Sequence, residues 1–220
     1  MIVKITGDLD DYNQKLLSIA SKFSNPHLIY TIEQIHTGNI NLTYILKTID
    51  AKPEEFFILQ RLNKKVFPDS HLLIGNQLIL AKYIQSQSSS KNYSNNINHL
   101  ELPLPLPNLI DGNYFYNIDG HSWRALTFIG PGTTYDIVPT YSHAKEIGIS
   151  LSLFHSLVVA IPIQNLYYVI KDFHNTSNYL SILESIIPIA NLNNNKYIKT
   201  KPRILRLLEL VKLNRDLASR

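Results

Sequence analysis

The 220-residue chain has 45% hydrophobic and 17% charged residues, the proportions of an ordinary globular protein long enough to bury a core. No apolar run is long enough to cross a bilayer, and the absence of cysteine excludes disulfides, thiolate nucleophiles and Cys-ligated zinc. The net charge of +4 is scattered along the chain rather than gathered on one face, so neither nucleic acid nor membrane is expected as a partner.

The opening, MIVKITGDLDDYNQ, turns acidic where a signal peptide would continue apolar, which predicts a cytoplasmic protein. Leu9, Tyr12, Leu16, Ile19 and Phe23 recur three or four apart, the period of an amphipathic helix over 9–23, with Asp8 as its N-cap and Asn25-Pro26 as its stop. Three runs rich in Ile, Tyr, Phe and Thr then read as strands over 27–35, 42–49 and 55–62. Their short connections, one of them through Ala51-Lys52-Pro53, imply antiparallel neighbours.

A helical pattern follows over 70–84 through Leu72, Leu73, Leu80 and Ile84, then the polar tract 85–98, which has nothing to bury and reads as a surface loop. Strands over 114–118 and 122–129 flank Asp119-Gly120, a two-residue hairpin signal. Alternation sends Trp123, Ala125, Thr127 and Ile129 to one side of the second strand and Arg124, Leu126 and Phe128 to the other.

After Gly130-Pro131-Gly132 the pattern becomes helical. Ala144, Ile147, Leu151, Phe154 and Val158 form a stripe, and Ala144, Gly148 and Ser152 place small residues where another helix could approach closely. Further helices are expected over 177–187 and from Pro202, the latter carrying Ile204, Leu207, Leu208 and Val211 as an apolar stripe. The densest basic group, Lys196, Lys199, Lys201, Arg203 and Arg206, reads as a solvated helix entrance, with phosphate binding as the alternative. The fold class is therefore α+β, an antiparallel sheet with helices followed by an all-helical region.

The residues that could carry chemistry are few. The loop from Thr37 to Thr43, between two antiparallel strands, has the small and amide residues Gly38, Asn39, Ile40 and Asn41 that can turn backbone N–H groups toward a phosphate. An ordinary hairpin turn uses the same residues, and no Gly-Lys-Ser/Thr follows to make a Walker loop. Arg61 lies on the face of Phe57 and Leu59, and Gln60 on the face of Phe56 and Ile58. A cation within so apolar a strand calls for a partner, either a phosphate or water at an edge.

None of His36, His143, His155 and His174 has an i, i+4 partner with a carboxylate, and no Gly-x-Ser-x-Gly occurs, so no metal site or acyl-transfer nucleophile is assigned.

Four segments taken together resemble the aminoglycoside-phosphotransferase-like superfamily, in the branch of the N-acetylhexosamine kinases. They are Gly38-Asn39-Ile40-Asn41-Leu42-Thr43-Tyr44, Phe57-Ile58-Leu59-Gln60-Arg61-Leu62-Asn63 with Val66-Phe67, Asp119-Gly120-His121-Ser122-Trp123-Arg124, and Asp172-Phe173-His174-Asn175-Thr176. They stand in this order between Gly38 and Thr176, the first three in strand context.

The resemblance implies a kinase-like, nucleotide-binding N-lobe over 1–130, then a hinge and an incomplete helical C-lobe over 131–220. ATP and Mg2+ would lie between the lobes. Gly38, Asn39, Ile40, Asn41 and Thr43 would cover the phosphates, and Gln60 or Arg61 would stand at the phosphate-pairing position of the third strand, Arg61 being favoured for its charge. Segment 130–139 would meet the adenine, and the acceptor would be a sugar.

Asn39 and Asn175 depart from the branch's usual His and Asp, and the helix over 70–84 has no acid to pair with Arg61. No His-x-Asp occurs anywhere, so the catalytic loop and the second magnesium-binding Asp have no counterpart, and Arg215-Asp216 reads as a surface pair. The expectation is a truncated phosphotransferase, inactive alone and weak in ATP binding. The alternatives are one half of a split kinase, or a non-catalytic module that binds a nucleotide or a partner and self-associates.

Overall fold

Residues 2–4, 10–24, 29–36, 38–48, 56–88, 101–130, 132–186 and 201–213 are described in the computed structural model of the protein. The strands are β1 (Ile2–Lys4), β2 (Ile29–Ile35), β3 (Leu42–Thr48), β4 (Phe56–Arg61), β5 (Pro105–Leu106), β6 (Tyr116–Ile118) and β7 (His121–Thr127). They form one antiparallel sheet in the order β1-β2-β3-β4-β7-β5, with β6 also paired to β7. The helices are α1 (Asp11–Ala20), α2 (Ser70–Ser88), α3 (Tyr141–Val158), α4 (Thr176–Ile186) and α5 (Lys201–Leu213). The chain groups into two compact units, Met1–Val169 and Ile170–Arg220.

Strand alternation builds the core of the first unit. In β3 the side chains of Tyr44, Leu46 and Thr48 are buried, and in β4 those of Phe57 and Leu59. Register sets Tyr44 beside Leu59 and Leu59 beside Ala125, while Leu46 lies between Ile32 and Phe57. This apolar face is covered by Leu16, Ile19, Ala20 and Phe23 from α1 and its C-terminal turn. The opposite face meets α2, whose buried apolar residue is Ile74 rather than any of the four expected to form its stripe. With neighbours on both edges and helices over both faces, β7 is buried continuously from Ser122 to Leu126.

Local signals act as expected at the hairpin between β6 and β7. Asp119 (φ 49°) and Gly120 (φ 74°) both take the left-handed conformation of a type I′ turn. The cap of α1 is corrected by two residues: Asp10, not Asp8, is the N-cap, its side chain accepting the backbone N–H of Asn13. The expected turn at 51–53, Pro131, residues 89–98 of the polar tract, the basic residues Lys196 and Lys199, and the Arg215-Asp216 pair lie outside the described residues; Gln85–Ser88 continue α2.

Segment 163–168 docks on α2 through a contact the sequence does not announce. Asn76 exchanges two hydrogen bonds with the backbone of Tyr167, at 2.8 and 2.9 Å, and a side chain at Gly75 would meet the Tyr167 ring at 2.8 Å. The α3 stripe is corrected: Ile147 (56% exposed) and Leu151 (53%) face solvent, and Leu157 is the buried residue of that helix. Among the described residues nothing lies within contact distance of a Cβ placed at Gly148, so none of them makes the expected close helix approach there.

In the second unit, Asp172 and His174 are left-handed, and Asn175 Oδ1 accepts the N–H of Asn178 at the start of α4. The Asn175 side chain thereby caps α4. Leu180 is buried on α4, and Leu207 is exposed on α5. The side chains of Leu208 and Val211 lie outside what is described.

Candidate functional site

Gly38, Asn39 and Ile40 are exposed at the tip of the turn between β2 and β3, while Thr37 lies outside the described residues. The C-terminal side of this turn is fixed from behind: Asn41 Oδ1 accepts the backbone N–H of Asn63 at 3.0 Å, which ties the turn to the segment following β4. At the start of β3, Thr43 is paired in register with Gln60, and Gln60 with Arg124 on β7. The three side chains are hydrogen-bonded in series. Gln60 Nε2 donates to Thr43 Oγ1 at 3.1 Å, and Gln60 Oε1 accepts from Arg124 Nε at 3.0 Å and Nη2 at 2.8 Å. From α2, Gln77 Oε1 accepts from Arg124 Nη1 at 2.7 Å.

Arg124 is only 8% exposed, and burial pushes its guanidinium down to about 10; no acid among the described residues acts on it. A salt bridge, Lys15–Asp119, is on the other side of the sheet and open to solvent. Both partners of Arg124 are neutral amides.

Arg61 is on the opposite face, in register with Trp123 of the α1-covered core. It lines a pocket of about 190 Å³ with Tyr12, Lys15, Ile19 and Trp123, and a second of about 490 Å³ with Ile40, Asn63, Lys64, Lys65 and His121. Nearby, the buried hydroxyl of Tyr44 shares a hydrogen bond with that of Tyr12. Burial, and then the Tyr12 hydroxyl, push the Tyr44 phenol well above its usual range, against a smaller downward pull from Arg61.

The seven candidate residues thus divide. Thr43 and Gln60 belong to the α2 side, Arg61 to the α1 side, and residues 38–41 form the rim where the strands end. Two members of the polar row, Arg124 and Gln77, were not among the candidates. Arg124 was visible in the Asp119–Arg124 segment as the polar residue of a strand face shared with Leu126, whereas Gln77 carried no signal. Among the described residues no three His, Asp or Glu side chains gather as metal ligands. No helix among them is long and apolar enough to cross a membrane.

No family model matches the chain. Among solved structures, a spectinomycin phosphotransferase, APH(9)-Ia, in complex with ADP and spectinomycin, is similar over 92% of this chain, with a TM-score of 0.54 and 16% identity. The chain spans 57% of the length of that structure. The likeness is one of fold: a kinase-like N-lobe with an antiparallel sheet, and part of a helical lobe.

Proposed function

We propose that this chain is the nucleotide-binding portion of an ATP-dependent small-molecule phosphotransferase of the N-acetylhexosamine kinase-like kind. The observation that carries this reading is the row Thr43–Gln60–Arg124, hydrogen-bonded across adjacent strands directly behind the turn at 38–41. It lies in a fold similar to that of a phosphotransferase that binds ADP. Backbone N–H groups of Gly38, Asn39, Ile40 and Asn41 would cover the phosphates, with Thr43 and Gln60 near them and Arg61, the charged candidate, on the other face of the sheet. ATP as donor fits action in the cytoplasm.

Phosphoryl transfer rests mainly on positioning and on neutralising charge around the transferred group. The described residues do not fit a magnesium site of their own, so no step is routed through the metal. With no His-x-Asp in the 220 residues, no base is assigned to the acceptor hydroxyl, and turnover is expected to need residues beyond them. The whole chain, titrated with ATP and ADP by calorimetry, is expected to bind both weakly. In a coupled assay with magnesium, N-acetylglucosamine and N-acetylgalactosamine it is expected to transfer no phosphate. Absence of nucleotide binding overturns the reading; turnover abolished by mutating Asp111, Asp119, Asp136, Asp172 or Asp216 would identify a base and overturn the inactivity.

One observation favours a second reading, a non-catalytic partner-binding module or one half of a split kinase: the apolar side chains of Tyr141, Ile147 and Leu151 on α3 face solvent. Under it, sedimentation shows self-association or co-purification with a second polypeptide.

A further inference from the structure

We infer that Arg124 on β7 supplies the positive charge that meets the phosphates of the bound nucleotide, with Gln60 and Gln77 holding its guanidinium in place of a carboxylate. The inference rests on the nucleotide-binding reading above and names the residue that reading leaves open.

The first ground is charge. An ionised side chain withdrawn from water is costly unless an opposite charge or strong hydrogen bonds compensate it. Arg124 is buried, yet each acceptor it reaches among the described residues is a neutral amide oxygen. Among the described residues the cation is held in a fixed orientation with no counter-charge, which suits a group whose counter-ion is a ligand.

The second ground is valence. A guanidinium has five N–H donors, and three of those on Arg124 are engaged. One remains on each terminal nitrogen, enough to meet phosphate oxygens in the paired geometry that arginine offers.

The third ground is position. Arg124 is in register with Gln60, which is in register with Thr43, two residues beyond Asn41. Two strand spacings, about 10 Å, separate the arginine strand from the strand that leaves the turn. A chain of phosphates anchored under the turn can span that interval.

In kinases a lysine on the third strand pairs with a glutamate from the following helix. Here both corresponding elements carry glutamines, Gln60 on β4 and Gln77 on α2, and the charge comes from the neighbouring strand. Arg61 cannot take the same role from its position, because it is on the face that α1 covers.

The test uses the whole chain, with ATP and with inorganic tripolyphosphate as probes, in magnesium-free buffer so that the phosphate contact is read directly. Arg124→Gln is expected to weaken both probes by about tenfold or more, the loss of one charge-assisted contact, and Arg124→Lys to recover part of it. Gln77→Glu brings a competing carboxylate to the guanidinium while leaving it in place, so it reports even if Arg124→Gln fails to fold. It is expected to weaken both probes and to raise the melting temperature, whereas the exposed control Lys82→Ala changes neither. Wild-type binding that survives both Arg124→Gln and Gln77→Glu overturns this inference alone, as does a greater loss in Arg61→Ala than in Arg124→Gln. Wild-type protein that binds neither probe overturns this inference and the nucleotide-binding reading together.

Discussion

A single oxygen, Oε1 of Gln60, accepts both Nε and Nη2 of Arg124 across the β4–β7 pair, at 3.0 and 2.8 Å. Replacing Gln60 with Leu would leave that edge of a buried guanidinium without its acceptor. The expected loss is about 2 kcal/mol, in the range for hydrogen bonds to charged groups. Gln60→Glu, which supplies a carboxylate, should lose less or gain. Urea denaturation of the variants checks the order; a Gln60→Leu midpoint equal to wild type would show that these bonds contribute nothing to stability.

Alkaline pH should expose the role of the Tyr12–Tyr44 pair. The Tyr44 phenol ionises less readily in the folded protein than in the unfolded chain, where its pKa is about 10. Between those two values the folded state holds a proton that the unfolded state has released. The stability tied to this group is therefore fully present below about pH 10 and is lost as pH rises through the folded value. Tyr44→Phe should flatten the alkaline limb of the stability curve relative to wild type, measured by denaturant midpoints from pH 8 to 11.

The hairpin Asp119-Gly120 separates a conformational effect from an electrostatic one. Gly120→Ala places a Cβ on a backbone at φ 74° and should cost about 1 kcal/mol although no atom of the described residues stands within 4 Å of it. Asp119→Asn keeps the left-handed preference while ending the solvent-exposed pairing with Lys15, and should leave the thermal midpoint where it was. An equal loss in both variants would mean that the ion pair, not the turn, holds the hairpin.

Burial predicts opposite outcomes for two leucines of the same unit. Leu59 is fully enclosed between sheet and α1, and Leu59→Ala should cost about 2–5 kcal/mol. Leu151 is 53% exposed on α3, and Leu151→Ser should fall within about 0.5 kcal/mol of wild type. If α3 is an association surface, Leu151→Ser also shifts sedimentation toward monomer. A large stability loss at Leu151 would show that its side chain is covered in solution.

The sequence alone determined the features encoded in consecutive residues. A period of 3–4 marks α1, runs rich in Ile, Tyr, Phe and Thr mark β2, β3 and β4, and Asp119-Gly120 marks the β6–β7 turn. These patterns are local, so the α+β class and the antiparallel neighbours are legible without the fold. β1, with three residues, and β5, with two, are too short to carry a period and are strands because β2 and β7 pair with them.

The candidate site was legible only along its chain direction. Alternation puts Gln60 and Arg61 on opposite faces but does not say which face α1 covers, and the cation therefore fell to the charged member of the pair. That choice depends on the tertiary arrangement, which brings Arg124 beside Gln60 from 64 residues away and Gln77 from 47 residues away. The same holds for α3, whose stripe shows a helix but not whether anything covers it. Periodicity reports which side chains share a face; what that face meets is settled by strand order and helix placement, which are non-local.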